Sequence, residues 1–127
     1  MAVAITNTKI AALNTDQALT YNAATADVAN TAEAFTYTPT GKDSKIMMGI
    51  VNGGTAAMTA SIAVGDGVFQ AASANSITIV AGATDVIQFE TGKYTSSAGT
   101  VVTTLTPGTG LKLLTDHAAT VFVAELI

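Results

Sequence analysis

The chain has 127 residues, of which 49% are hydrophobic and 11% are charged, and its formal net charge at pH 7 is -4. This length predicts a single domain, and high hydrophobicity with few charges excludes an intrinsically disordered chain. The basic residues are five lysines, which argues against nucleic acid or an anionic membrane as a partner because both are bound through clustered cationic side chains.

The sequence also limits the chemistry that depends on cysteine and histidine. With no cysteine and a single histidine, it offers neither a disulfide framework nor a zinc site. The segment Met1–Ile5 lacks the basic region of a secretory signal, and no apolar run approaches the roughly 20 residues of a membrane-spanning helix. We therefore expect a soluble protein that is made in a cytoplasm.

The first thirty residues show no clear pattern of regular secondary structure. Between residues 16 and 34 alanine is frequent, which favours a helix, but threonine and asparagine recur and no apolar stripe is sustained. We interpret residues 1–30 as an extended amino-terminal arm with one or two strands, and residues 31–127 as the β-sandwich domain.

From residue 35 onward, short β-branched and aromatic runs alternate with turn residues. Residues 35–38 predict a half-buried strand that ends at Pro39, and residues 45–51 predict a central strand because they are apolar on both faces. The Asn52-Gly53-Gly54 sequence then predicts a tight turn whose glycines adopt positive φ.

The next predicted strand alternates strictly, with four apolar residues on one face. These are Met58, Ala60, Ile62 and Val64, and the strand ends at a predicted hairpin turn, Gly65-Asp66-Gly67. Further strands are predicted at residues 68–70, 76–80, 85–90, 100–106 and 120–126.

The last predicted strand carries apolar residues on both faces. Phe122, Ala124 and Leu126 share one face, and the other face is formed by Val121, Val123 and Glu125. Turns recur about every 8–12 residues through this part of the chain, which is typical of antiparallel β folds. The predicted fold class is all-β: an antiparallel β-sandwich, jelly-roll or immunoglobulin-like, with an extended N-terminal arm.

Asp116 and His117 are the one pair that suggests acid–base catalysis, because a histidine can activate a serine or threonine hydroxyl. No Gly-x-Ser-x-Gly nucleophile motif accompanies them. Their position between Pro107 and the last strand predicts a loop in which they cap a turn. We therefore assign no catalytic residue and expect the protein not to be an enzyme.

Four carboxylates, Asp43, Asp66, Asp85 and Glu90, raise the question of a calcium site. Calcium takes six to eight oxygen ligands, and its binding loops usually place several acidic residues within a dozen positions. These four are scattered, and Asp66 between two glycines is better explained as a turn residue. No metal site is predicted.

Two Gly-Lys pairs, Gly41-Lys42 and Gly92-Lys93, invite comparison with a phosphate-binding loop. Neither pair has the preceding glycine at the required spacing or the following serine or threonine, so the motif is absent. No closely spaced carboxylates indicate a glycosidase either. No cofactor is predicted.

From Phe35 onward, strands and turns follow one another in a recognisable order. The Val51-Asn52-Gly53-Gly54 turn leads into a strand that alternates with threonine and serine, and a further alternating strand starts at Ile77. The segments after that strand are Ala81-Gly82-Ala83-Thr84, Val86-Ile87-Gln88-Phe89, Lys93-Tyr94, Gly99-Thr100-Val101, Thr106-Pro107-Gly108-Thr109-Gly110 and Val121-Phe122-Val123-Ala124-Glu125-Leu126. This order resembles the head-decoration (capsid cement) proteins of tailed bacteriophages.

This resemblance implies a non-enzymatic virion structural protein, assembled in the host cytoplasm, that binds the outer surface of an assembled capsid and stabilises it. It implies two partners, the major capsid protein and further copies of this chain, with a trimer as the favoured homo-oligomer. The resemblance implies no catalytic residue and no cofactor-binding residue. We further expect residues 1–20 to supply much of the contact with the capsid or with neighbouring subunits, by ordering on binding or by adding a strand to an exposed sheet edge.

Two other functions stay open at this point. One is a tail or fibre component of the virion, which the sequence does not separate from a head component. The other is a carbohydrate-binding or adhesion module, which is disfavoured because sugar sites usually use an exposed aromatic ring and the chain has no tryptophan.

Overall fold

A computed structural model describes residues 2–10, 16–40, 43–68, 70–88 and 90–126. In these ranges the chain is almost entirely β, with two short helices at Asp43–Lys45 (3₁₀) and Thr91–Tyr94 (α1). The strands are β1 (Val3–Ala4), β2 (Thr8–Ile10), β3 (Asn22–Ala23), β4 (Glu33–Tyr37), β5 (Ile46–Val51), β6 (Met58–Ile62), β7 (Asn75–Ile79), β8 (Thr84–Ile87), β9 (Val101–Thr106) and β10 (Thr120–Leu126). The predicted all-β class is confirmed.

The strands form two sheets. Sheet I has the order β1-β4-β9-β6-β7, and sheet II has the order β2-β10-β5-β8, with β3 also paired to β10. Most pairs are antiparallel, but β1 with β4 and β2 with β10 are parallel. The prediction of purely antiparallel sheets is therefore wrong at these two edges. One extended segment, residues 3–10, runs from the edge of sheet I to the edge of sheet II without reversing, so both of its pairings are parallel.

The core is built from the inward side chains of both sheets. The predicted apolar face of β6 is confirmed, because Met58, Ala60 and Ile62 are fully buried, whereas Val64 lies beyond the strand and is partly exposed. The other large inward residues are Phe35, Tyr37, Ile46, Met48, Ile50, Ile79, Val101, Leu105, Val121 and Val123. Removing such side chains from water stabilises a fold by roughly 25 cal/mol per Å² of apolar surface.

Part of the predicted arm lies in the sheets. The backbone N–H of Ile5 donates to Thr36 O at 2.9 Å, and Val3 and Ile5 pack partly against the core. Further along, Ala24 N donates to Ala119 O at 2.9 Å, and the Ala24 side chain is buried. Residues 3–10 and 22–24 thus form the edge of each sheet on one side, while β7 and β8 are the edge strands on the other side.

Three predicted features of the middle of the chain are wrong. No strand is present at residues 68 and 70, because this segment is tied to α1 instead: Gly65 N and Ala71 N both donate to Lys93 O, at 2.9 and 3.1 Å. The predicted hairpin turn at Gly65-Asp66-Gly67 is part of a longer connection that spans residues 63–74. The strand predicted at 85–90 ends at Ile87, and α1 follows shortly after.

The glycines after β5 have a different role from the predicted one. Gly53 and Gly54 do not adopt positive φ; the glycines that do are Gly82, Gly99 and Gly110. A Cβ at Gly54 would lie 2.3 Å from the carbonyl oxygen of Asp116. The position needs glycine because two backbone segments touch there, which is a tertiary requirement that local turn rules do not contain.

Candidate functional site

The single histidine lies in the interior and joins the β9–β10 connection to the loop after β5. His117 is 0% exposed; Gly108 N donates to its Nε2 at 3.1 Å, and its Nδ1 lies 3.1 Å from Asn52 Oδ1. Because Nε2 accepts a hydrogen bond, Nδ1 carries the proton and donates to Asn52. The prediction that Asp116 caps a turn is confirmed, since its Oδ2 accepts from Lys112 N at 2.8 Å, but His117 is a buried bridge.

Asn52 extends this bridge to the opposite sheet. Its Nδ2 donates to Ala56 O at 2.8 Å and to Ile79 O at 3.0 Å, while its Oδ1 also accepts from Gly54 N at 3.0 Å. A buried amide that is fully hydrogen-bonded fixes loop geometry, because any rearrangement would leave its polar atoms without partners. The Asn52–His117 pair therefore links the loops at one end of the two sheets and has a structural role.

The carboxylates considered for calcium do not converge into one site. Asp66 is exposed in the 63–74 connection, and Asp85 lies on the edge strand β8. Only Asp43 and Glu90 line the same cleft. Over the described ranges, no group of three His, Cys, Asp or Glu side chains is arranged to hold a metal ion. Of the two Gly-Lys pairs, Gly92-Lys93 lies in α1, and Gly41-Lys42 is outside the described residues.

That cleft lies between the 3₁₀ helix and α1 and has a volume of about 350 Å³. We call it the end cleft, and its lining residues are Asp43, Ser44, Asn75, Gln88, Glu90, Lys93 and Tyr94. Asp43 holds the two helices together, because its Oδ2 accepts from Thr91 N at 3.0 Å and its Oδ1 from Thr91 Oγ1 at 2.7 Å. Lys93 Nζ pairs with Glu90 Oε2 at 3.1 Å.

Two buried glutamates hold the amino-terminal segment. Glu33 accepts hydrogen bonds from Thr25 N at 2.8 Å, from Ala26 N at 3.0 Å and from Thr25 Oγ1. Burial by itself raises the pKa of Glu33, but these hydrogen bonds outweigh burial and hold the pKa below its ordinary value. The ionised carboxylate thus replaces strand pairing as the anchor of residues 25–26.

Glu125 is the second of these glutamates and is 2% exposed. Tyr37 Oη and Thr40 Oγ1 donate to it, the latter at 2.6 Å, and Asn7 Nδ2 donates at 3.3 Å. Burial opposes ionisation, but the hydrogen bonds from Thr40 and Tyr37 lower the pKa of Glu125 below its ordinary value. Burial and the Glu125 carboxylate raise the pKa of Tyr37.

The outer face of sheet I carries no charged side chain. In a sheet, paired residues point to the same side, so the partners of exposed positions identify the outward set. That set, which we call the hydroxyl face, consists of Ala4, Ala34, Thr36, Thr59, Ser61, Ser76, Thr78, Val102, Thr104 and Thr106. Hydroxyls can hydrogen-bond to water, so this face is compatible with solvent exposure.

The outer face of sheet II is also uncharged but is mainly apolar. The outward residues of β5, β8 and β10, together with Tyr21, form what we call the apolar face: Tyr21, Met47, Gly49, Val51, Thr84, Val86, Thr120, Phe122, Ala124 and Leu126. Tyr21, Val86 and Leu126 are 56%, 52% and 46% exposed. Large apolar side chains that remain exposed on one face are typical of a surface that another molecule covers.

Phe122 is the centre of the apolar face. Its ring lies over Gly49, its partner across the strands, because a Cβ at Gly49 would be 2.0 Å from Phe122 Cζ. Tyr21 packs edge-on against the same ring, with 5.4 Å between centroids and an interplanar angle of 70°. The arm therefore covers one side of Phe122, and Val86 follows on the other side of Gly49.

The sequence pattern had given Phe122 and Leu126 a common face but not its position in the molecule. The signal that was missing is the strand order of sheet II, which brings β8 and the arm next to β10 and β5. The end cleft and the Glu125 anchor were missed for the same reason, because their residues are distant in sequence.

Comparisons with known proteins give no relative for this chain: no family model matches it, and neither the curated proteins nor the solved structures contain a significant match. Within the described residues, no helix combines the length and hydrophobicity needed to cross a lipid bilayer.

Proposed function

We propose that this protein is a non-enzymatic structural component of a tailed-bacteriophage virion that binds the outer surface of the assembled capsid through its apolar face. The observation that carries the proposal is the exposure of Tyr21, Val86 and Leu126 on an outer sheet face without a charged residue. Covering such a surface releases free energy in proportion to the apolar area and requires no desolvation of charge.

The proposed fold is a jelly roll, and the strand order supports it. The eight strands from β3 to β10 pair from the outside inward: β3 with β10, β4 with β9, β5 with β8 and β6 with β7. All four pairs are antiparallel. This is a long antiparallel hairpin rolled into two sheets, which is the jelly-roll arrangement that recurs in viral capsid proteins. The parallel strands β1 and β2 are additions at the edges of that unit.

The size of the apolar face favours a lattice over a single free partner. With strands about 4.8 Å apart and a rise of about 3.4 Å per residue, the three strands β5, β8 and β10 of this face span on the order of 300 Å². A stable pairwise interface needs about 800 Å² on each partner. One such contact is therefore weak, whereas many copies that bind only the assembled shell stabilise it together by mass action.

Neighbouring copies of the chain remain part of the proposal, with a trimer as the favoured oligomer. Residues 1–20 stay our predicted contact with the capsid or with these copies. Because β1 and β2 pair with sandwich strands, deleting the arm would also damage the fold. A charge at an exposed arm position, as in Ala18→Asp, tests the contact without removing a strand.

Immunogold labelling of purified source particles, viewed by electron microscopy, tests the location of the protein. Label distributed over the icosahedral head supports decoration. Label restricted to the tail or its tip would replace the proposal with a tail or fibre component, and particles without label would exclude a virion role.

Binding to capsids that lack the protein tests the face. We expect Val86→Thr, which keeps the shape of the side chain but adds a hydroxyl, to reduce the bound copies at least fivefold. The matched control is Thr78→Val, on the edge strand of sheet I, which leaves the apolar face intact. Full binding by Val86→Thr, or equal losses in both variants, would contradict docking through the apolar face.

A further inference from the structure

We infer that the end cleft is a binding site for a neutral saccharide of one or two rings. This inference concerns a surface separate from the apolar face, so it stands or falls independently of capsid binding. A volume of about 350 Å³ is at the small end of the range for small-molecule sites. The lining combines an aromatic ring, two carboxamides, a hydroxyl and carboxylates, which are the groups that bind vicinal hydroxyls of sugars.

The walls of the end cleft come from four separate segments that are each fixed. The 3₁₀ helix and α1 are joined by the two hydrogen bonds between Asp43 and Thr91. Asn75 is held in register opposite Ile62 in the β6–β7 pair, and Gln88 directly follows β8. Tyr94 packs partly against the core. A preformed cleft binds a ligand without first having to order its own loops.

The amides of the end cleft are available for a ligand. Neither the Asn75 nor the Gln88 side chain makes a hydrogen bond to another described residue, whereas most other polar groups near them are engaged. Each carboxamide offers both a donor and an acceptor, which matches a hydroxyl that does the same. The Lys93–Glu90 ion pair is exposed and therefore weak, so Glu90 can also accept from a sugar hydroxyl.

The charge of the lining sets the class of saccharide. Asp43 and Glu90 carry negative charge, and Lys93 is the one cation among the lining residues. Lys93 is already paired with Glu90, and Asp43 has both oxygens occupied by Thr91. An anionic sugar would thus meet uncompensated negative charge, so neutral sugars are favoured over sialylated or uronic ones.

The test is a ¹H–¹⁵N NMR titration of the full chain with maltose, cellobiose, lactose and diacetylchitobiose, and with sialyllactose as the anionic match for lactose. We expect saturable shifts of the Asn75 and Gln88 side-chain amides and of the backbone of residues 90–94 with at least one neutral disaccharide. We expect the double variant N75A/Q88A to bind that disaccharide at least tenfold more weakly.

The matched control is Gln17→Ala, which removes an exposed carboxamide from the arm and should leave the affinity unchanged. The inference would be overturned if no neutral disaccharide gave saturable shifts, or if N75A/Q88A bound as tightly as the parent chain. Equal or tighter binding of sialyllactose than of lactose would overturn the assignment of a neutral ligand. Because Asn75 and Gln88 lie outside both the apolar face and residues 1–20, N75A/Q88A should bind capsids like the parent chain.

Discussion

The hydroxyl face and the apolar face are the outer faces of the two sheets, and their residue patterns differ. Sheet I alternates in the ordinary way, with apolar residues inward and threonine or serine outward, as in β9. Sheet II is apolar on both sides, and β10 has five consecutive buried residues from Val121 to Glu125. Sheet I therefore has the pattern of a sheet with one face in solvent, whereas sheet II has the pattern typical of sheets with two covered faces.

Residues of the amino-terminal arm cover only part of the apolar face of sheet II. Tyr21 shields one side of Phe122, while Val86 and Leu126 remain half exposed. The covered part of the apolar face contributes to folding, and the exposed part is the surface that we propose binds the capsid.

The largest expected effect is at Phe122. We expect Phe122→Ala to reduce the free energy of unfolding by about 3 kcal/mol, because the ring is nearly buried and its loss uncovers Gly49. Thr104→Ala, the corresponding truncation on the hydroxyl face, should change it by no more than about 0.5 kcal/mol. Urea unfolding of both variants measures the difference. Equal effects would mean that the two faces contribute alike to stability.

Substitution of Gly49 should lower the free energy of unfolding nearly as much. Gly49→Ala places a methyl group where the Phe122 ring lies, so the ring must move and we expect a loss of about 2 kcal/mol. Gly92→Ala is the control, since a Cβ there meets nothing within 4 Å and the position does not require positive φ. Thermal unfolding compares them, and a neutral Gly49→Ala would show that the ring is not held against the strand.

Acid should loosen the arm that covers sheet II. The pKa values of Glu33 and Glu125 are lowered from 4.5, so the stability from their ionised forms is present above that value and is lost as pH falls through the lower folded-state values. The neighbours of Glu125 include Lys9, which also favours the ionised form. Tyr37 has a raised pKa, so its protonated form stabilises the fold. This contribution to stability is fully present below pH 10 and is lost in strong alkali.

The measurement is the urea midpoint between pH 7 and pH 3. We expect Glu125→Gln to be less stable than the parent chain at pH 7 and to lose less stability on acidification. Glu90→Gln, at an exposed carboxylate, should follow the parent curve. An acid dependence that is the same in Glu125→Gln and in the parent would refute the role of this carboxylate.

The smallest expected effect is at Tyr21. Tyr21→Ala removes an edge-on aromatic contact whose value is about 1 kcal/mol, and it enlarges the exposed part of Phe122. Val28→Ala is the control, because Val28 is more exposed than Tyr21 and lies outside the apolar face. Hydrogen exchange of the β10 amides would report the change, and unaltered protection would show that the arm does not cover this strand.

Local patterns predicted the strands better than they predicted the surfaces. The alternation in β6 identified Met58, Ala60 and Ile62 as one buried face because the period of a strand is a property of adjacent residues. The same alternation placed Glu125 with Val121 and Val123, but both faces of that strand are apolar, so the pattern did not show which face is inward.

What the sequence did not contain is the set of long-range contacts. The buried position of His117 depends on Gly108, nine residues earlier in the same connection, and on Asn52, which lies in a different loop. The close approach of Gly54 to Asp116 and the four segments of the end cleft likewise depend on how the strands assemble. Strand pairing is non-local, so neither propensity nor turn chemistry determines it.

The central place of β10 in sheet II has a consequence for how the protein is synthesised. β10 lies between β5 and the β2–β3 edge, and it pairs Ala124 with Thr8 across most of the chain. Until the ribosome has made β10, β5 lacks one neighbour and β2 and β3 have nothing to pair with. The apolar residues of these strands therefore stay unpaired in the nascent chain until its last strand has been made, and unpaired apolar strands favour aggregation.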